Sequence, residues 1–173
     1  MEKIIEAKNL TKIYGEDGTS VTALNNVDLN FYENKFTAIM GQSGSGKSTL
    51  LHCLAGLDKV TSGSIFVKGV DLGSLNDKEL TKIRRDSFGF VFQAFNLIPT
   101  LTAEENITLP SSIAGRKPDE EWINQIVNAV DIGDRLNHRP NELSGGQQQR
   151  VAAARAMACL LYTSDAADEG GSG

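Results

Sequence analysis

The stretch FTAIMGQSGSGKSTLL, Phe36 to Leu51, decides the fold class. Phe36 to Met40 is a short, mostly apolar run with the composition of a buried strand, and it empties into glycine. Gly41, Gly46, Lys47 and Ser48 then satisfy G-x-x-x-x-G-K-[ST]. Leu50, Leu51, Leu54 and Leu57 follow at helical spacing, with Gly56 as a stop signal. Strand, glycine-rich loop and helix form the context in which this motif holds phosphate. Glycines let successive N–H groups turn inward with no Cβ in the way. Lys47 supplies a point charge to phosphate oxygens, the Ser48 hydroxyl is placed to ligate Mg2+, and the helix start adds its positive end. The candidate nucleotide contacts are Gly41, Gln42, Ser43, Gly44, Ser45, Gly46, Lys47, Ser48 and Thr49. A plain glycine-rich surface turn would leave Lys47-Ser48-Thr49 at that spacing unexplained.

The flanking sequence supports a mixed architecture. Val27, Leu29 and Phe31 alternate with polar residues, the period of a half-buried strand, and GSIFVKG places Ile65 and Val67 on one face of another. SFGFVFQ reads as a third apolar strand ending at Gln93. Beyond it the pattern turns helical. Thr102-Ala103-Glu104-Glu105 has the capping-box form, and Pro118 suits the first turn of a helix whose Trp122, Ile123, Ile126, Val127 and Val130 share one face.

A second motif, LSGGQQQR, spans Leu143 to Arg150. Ser144 and Gln147 are themselves a capping box, so one reading is a glycine-softened helix start. The other is an anion site, because two glycines in a first turn expose backbone N–H groups. The residues alone leave both open. Taken with the phosphate loop, the chain resembles the ATP-binding subunit of ABC transporters, from about Lys3 to about Ala158. The match is to the importer-like and the lipoprotein-release or macrolide-export branches.

That resemblance implies an α/β fold: a P-loop nucleotidase core with an antiparallel β-subdomain and a helical subdomain over about 95–143. It implies ATP and Mg2+ as ligands. Ser144, Gly145, Gly146 and Gln147 would act in trans on ATP held by a second copy of the subunit in a head-to-tail homodimer. Tyr14 falls where the family stacks an aromatic on adenine, although a strand-end tyrosine in a turn is also an ordinary structural feature. Gln93 matches a glutamine with a Mg2+ contact and a coupling role, so Lys47 and Gln93 are the catalytic candidates and Ser48 and Gln93 the metal candidates. Phe95, Leu97, Ile98 and Leu101 are either a patch for the membrane partner's coupling helix or core. His52 and His138, the only histidines, match no family position; His52 is expected to pack or lie at the surface, and His138 to face solvent.

The family continues past its signature helix with an apolar strand ending in Asp-Glu and, later, a switch histidine. Here Asp168-Glu169 is preceded by YTSDAA, which is no apolar strand, so neither is expected to be catalytic. The expectation is therefore a core incomplete at the C-terminus: an ATP-binding domain over 1–158, an unstructured and foreign-looking tail over 159–173, and an ATPase by family whose present chain is hydrolysis-deficient.

Composition narrows the classes further. The 17 basic and 22 acidic residues give a formal net charge of −5, which argues against a nucleic-acid binder. Cys53 and Cys159 make no disulfide framework or metal spacing, and no apolar run approaches the ~20 residues that cross a bilayer. A cytoplasmic subunit held at the inner face of the membrane by a transmembrane permease is the location these features and the resemblance imply. The alternatives are an ABC-type ATPase of a cell-division or envelope-remodelling complex and a soluble repair or translation ATPase. Nothing between Ala94 and Leu143 looks like the zinc insert or coiled coil of the last class.

Overall fold

The computed structural model describes residues 2–15 and 18–159. The chain divides into two units, Met1–Thr81 and Lys82–Gly173. The first is built on β1 (Lys3–Tyr14), which pairs antiparallel with β2 (Val21–Tyr32) on one side and β3 (Ser62–Val67) on the other. A two-residue β4 (Val70–Asp71) closes the order β2-β1-β3-β4. The alternation expected at Val27, Leu29 and Phe31 is present, with the intervening residues exposed. Ile65 and Val67 are buried together as expected. Leu10 is fully buried in this sheet, a contribution of about 1.5–3 kcal/mol for a side chain of its size.

The β1 strand is not regular. Its register shifts between Ala7 and Leu10, and Asn9 takes a left-handed φ of 48°. Such a bulge crowds the neighbouring strand, and Gly63 is the residue that faces it. A Cβ on Gly63 would lie 2.4 Å from the Asn9 carbonyl oxygen. Only glycine fits there.

Helix α1 (Lys47–Leu54) lies in this first unit and buries Leu50, Cys53 and Leu54. Leu51 and Leu57 are exposed, so the apolar stripe is narrower than the leucine spacing suggests. Phe36–Met40 is the larger departure. It forms no strand, and Phe36 and Met40 are 97% and 88% exposed. SFGFVFQ in the second unit likewise forms no strand; Phe88, Phe90 and Phe92 stack on one another instead, at centroid separations of 6.0 and 5.7 Å. A short apolar run becomes a strand only if a neighbour satisfies its N–H and C=O groups. Among the described residues neither segment has such a neighbour.

The second unit is helical: α2 (Asp77–Ser87) leads into it, followed by α3 (Ala103–Ile113), α4 (Glu120–Ala129) and α5 (Gly145–Ala158). Its core gathers Ala103 and Ile107 of α3, Ile126 and Val127 of α4, and Val151, Ala154 and Ala158 of α5, with Trp122, Ile123 and Val130 packed against them. The apolar face read from the sequence of α4 is therefore the face that packs. Thr102 and Glu105 form the expected capping box. Pro118 falls two residues before α4, because Asp119 is the N-cap and accepts from the Trp122 N–H. His138 is half-buried rather than at the surface; its carbonyl and that of Leu136 accept the first N–H groups of α3. His52 is exposed, the second of the two placements expected for it. Asp168, Glu169 and the tail from 160 onward lie outside the described residues.

One buried polar side chain organises the approach to α3. Asn106 is fully buried; its Oδ1 accepts from the Ile98 N–H at 2.8 Å, and its Nδ2 donates to the carbonyls of Ile98, Leu101 and Thr102 at 3.2, 3.2 and 2.9 Å. Asn106→Ala would leave the Ile98 N–H and the Leu101 carbonyl without this partner, while the carbonyls of Ile98 and Thr102 keep the backbone N–H groups of Leu101 and Asn106; a loss of this kind costs about 1–3 kcal/mol. A denaturation midpoint lowered to that extent, with no change in the slope of the transition, is the expected result.

Candidate functional site

The loop Gly41–Gly46 winds around the ammonium of Lys47. Lys47 Nζ donates to the carbonyls of Gly41 at 2.8 Å and Gln42 at 2.5 Å, with Ser45 Oγ at 3.3 Å. The charge that would meet phosphate thus already sits at the centre of its loop. Gly46, at φ 87°, precedes the helix, and no side chain caps α1. The N–H groups of its first turn therefore have no intrahelical acceptor and no side-chain substitute, which is the arrangement of an anion site. A Cβ on Gly46 would lie 2.4 Å from the Ala23 carbonyl oxygen of β2. Glycine at this position lets the loop seat directly on the sheet.

Ser48 is exposed at the start of α1. Among the described residues no cluster of His, Cys, Asp and Glu could hold a metal ion. Hard oxygen donors shared with phosphate suit Mg2+. Tyr14 ends β1 and is 41% exposed. Its hydroxyl donates to Asp58 Oδ2 at 2.5 Å.

The second motif lies in the other unit. Ser144 Oγ accepts from the Gln147 N–H at 3.3 Å while Gln147 Oε1 accepts from the Ser144 N–H at 2.8 Å, the capping box read from the sequence. Gln148 Nε2 donates to the carbonyls of Pro140 and Leu143, and Arg150 Nη1 donates to those of Val130 and Asp131. These contacts fix the helix start against the preceding loop while Gly145 and Gly146 stay exposed. Gln93 is exposed in a turn of this same unit. Of the apolar patch after it, Leu97 packs on the core and Ile98 is exposed. The phosphate loop and Tyr14 therefore belong to one unit, and Gln93 and the LSGGQ residues to the other.

Comparison with known proteins fits this geometry. Residues 24–161 match the family described as "ABC transporter". The chain belongs to the ABC transporter ATP-binding family. It is 46% identical over 160 residues to an uncharacterised ABC transporter ATP-binding protein of Thermotoga maritima, covering 91% of this chain and 68% of that one. It is 45% identical over 156 residues to a macrolide export ATP-binding/permease protein of Marinobacter nauticus, where 89% of this chain spans 24% of the relative. A dimeric bacterial ABC transporter cassette superposes with a TM-score of 0.80 at 49% identity, covering 89% of this chain and 69% of that one. A dimeric post-hydrolysis state of a cassette bound to ADP and Pi gives 0.80 at 48%, with the same coverage.

Within this ABC cassette, three contributors escaped the sequence reading. Lys12 Nζ donates to Asp58 Oδ1 at 2.7 Å and lies 4.6 Å from the Tyr14 ring centroid. Its ammonium, with the Tyr14 hydroxyl, holds the Asp58 carboxyl below the usual carboxylate range. The third is Arg155 on α5, which donates to the carbonyls of Phe95 at 2.8 Å and Asn96 at 2.7 Å. Both residues are left-handed, at φ 58° and 48°, a conformation that costs side-chain-bearing residues energy. One guanidinium therefore clamps the kink just after Gln93 onto the helix that carries the signature.

Arg155→Met should free both carbonyls of the kink. We expect faster amide exchange across Ala94–Ile98, and a stability loss of about 1.5–3 kcal/mol, typical of hydrogen bonds to a charged group. Asp58 carries a pH signature. Its folded pKa is depressed, so its contribution is present above the unfolded carboxylate pKa and is lost as pH falls through the folded value. The stability gap between wild type and Asp58→Asn should therefore be open at neutral pH and close on acidification, as read from melts across an acid series.

Proposed function

We propose that the chain is the ATP-binding, energy-coupling part of an ABC transporter, a family whose ATP-binding subunits hydrolyse ATP as head-to-tail dimers to drive transport through a membrane partner. The observation that carries this reading is at Gly145 and Gly146. Neither has a left-handed φ, and a Cβ on either would meet nothing within 4 Å. Glycine in a helix costs about 0.8–1 kcal/mol relative to alanine, and nothing among the described residues accounts for two of them. Glycines that neither the backbone nor the packing requires favour the close approach of something from outside. The phosphates of a nucleotide on a second copy are the occupant the family logic supplies.

In this reading Lys47 and the α1 N–H groups hold the β- and γ-phosphates. Ser48 and Gln93 hold Mg2+, which when bound would neutralise phosphate charge, and Tyr14 takes the adenine. Ser144, Gly145, Gly146 and Gln147 meet the γ-phosphate of the partner's nucleotide. Among the described residues no helix is long and apolar enough to cross a membrane, so the reading assigns the membrane span to a separate permease. Similarity to the macrolide export protein favours a permease of that export branch, and the transported substrate is then chosen by the permease. A cytoplasmic position at the inner face of the membrane belongs to the same proposal, as does an ATP-binding domain over 1–158 with a helical subdomain over about 95–143.

Two measurements test it. Lys47→Ala should weaken ATP binding about tenfold or more by calorimetry, the scale of a lost charge-assisted contact; equal affinities would overturn the phosphate assignment. Gly146→Glu should leave that binding intact and abolish ATP-dependent self-association in light scattering. ATP-dependent association that survives this substitution would remove the in-trans role of the signature.

A further inference from the structure

The Tyr14 ring is held at two points by one carboxylate. Its hydroxyl donates to Asp58 Oδ2, while Asp58 Oδ1 accepts from Lys12 Nζ. Lys12 precedes Tyr14 by two on β1, across a shift in register between Lys12 and Ile13. Its ammonium lies 4.6 Å from the ring centroid, also donates to the Lys59 carbonyl at 2.7 Å, and belongs to a side chain only 11% exposed. A cation over an aromatic face is attracted by the ring quadrupole, and the attraction grows as water is excluded. One face of Tyr14 is therefore occupied from within the protein, and a planar ligand has only the other.

Asp58 follows α1, the helix that begins in the phosphate loop. Its two oxygens consequently join the end of β1 to the exit of that helix. We propose that Asp58, together with Lys12, is the positioning device that fixes the Tyr14 ring and its single open face relative to the phosphate loop. It thereby sets where the base of a bound nucleotide stacks. This rests on the reading that Tyr14 meets adenine. A simpler role is a staple between β1 and the segment after α1. That staple exists independently of Asp58: Thr61 N–H donates to the Thr11 carbonyl at 2.9 Å, and Ile13 N–H donates to Thr61 Oγ1 at 2.9 Å. Removing the carboxylate therefore leaves the two segments joined.

The discriminating measurement compares ATP with inorganic triphosphate, which has the phosphates and no base. Calorimetry on the full chain, at constant Mg2+, would cover wild type, Asp58→Ala, Lys12→Met and Tyr14→Ala. Wild type should prefer ATP. Asp58→Ala and Lys12→Met should each weaken ATP about 5- to 20-fold, part of one base–aromatic stack, while triphosphate stays within about twofold, since its contacts lie on the loop. Adding Asp58→Ala to Tyr14→Ala should cost nothing further for ATP, the non-additivity of residues acting as one. Equal losses for ATP and triphosphate in Asp58→Ala, or no loss for either, would overturn the positioning role. A Tyr14→Ala variant with an unchanged ATP-to-triphosphate ratio would instead remove the stacking reading itself.

Discussion

A helix begins with N–H groups that its own turns cannot satisfy, and the way each helix here answers that constraint organises the molecule. Asn76 Oδ1 accepts from the Lys78 and Glu79 N–H groups at the start of α2. Thr102 caps α3, Asp119 caps α4 and Ser144 caps α5, each by its side-chain oxygen. Only α1, among the described α-helices, begins without a side-chain cap. The exception coincides with the lysine-centred loop. Four of these helices have a side-chain acceptor at their positive end, and α1 leaves its own open.

The signature helix combines both behaviours. Its Ser144–Gln147 box satisfies one donor at each end of the reciprocal pair, while the glycines between them keep the backbone bare. Behind that bare surface, Gln148 and Arg150 bind loop carbonyls, and Arg155 two turns on grips Phe95 and Asn96. A rigid rear face and an open front are what a surface needs if it is to meet a nucleotide without rearranging. The same helix therefore links the signature to the segment after Gln93.

What could be read from the sequence was local. The capping boxes at Thr102 and Ser144, the apolar face of α4, the alternation in β2 and the glycine-lysine loop all depend on residues within one or two turns of each other, and each is present in the structure. What could not be read was either distant or conditional. Asp58 reaches Tyr14 across 44 positions, and Arg155 reaches Phe95 across 60. No pattern in a single sequence pairs such residues. Asn106 could have been suspected as a polar residue on the packing face of α3, but its four backbone partners could not. Phe36–Met40 and SFGFVFQ failed for a different reason. Their composition is that of buried strands, yet a strand is a property of two segments, and the hydrogen-bonding neighbour is not encoded in either run. The 97% exposure of Phe36 shows how far composition alone overreached.

The single tryptophan, Trp122, sits on α4 against the core of the second unit, whereas the first unit contains tyrosines and no tryptophan. Indole emission excited at the red edge of the absorption band is consequently blind to the phosphate-loop half of the chain. It is a private reporter of the signature half. Comparing that emission with the tyrosine signal or circular dichroism of the β-sheet would let melting of the two halves be followed separately in one sample, without a label and without cutting the chain.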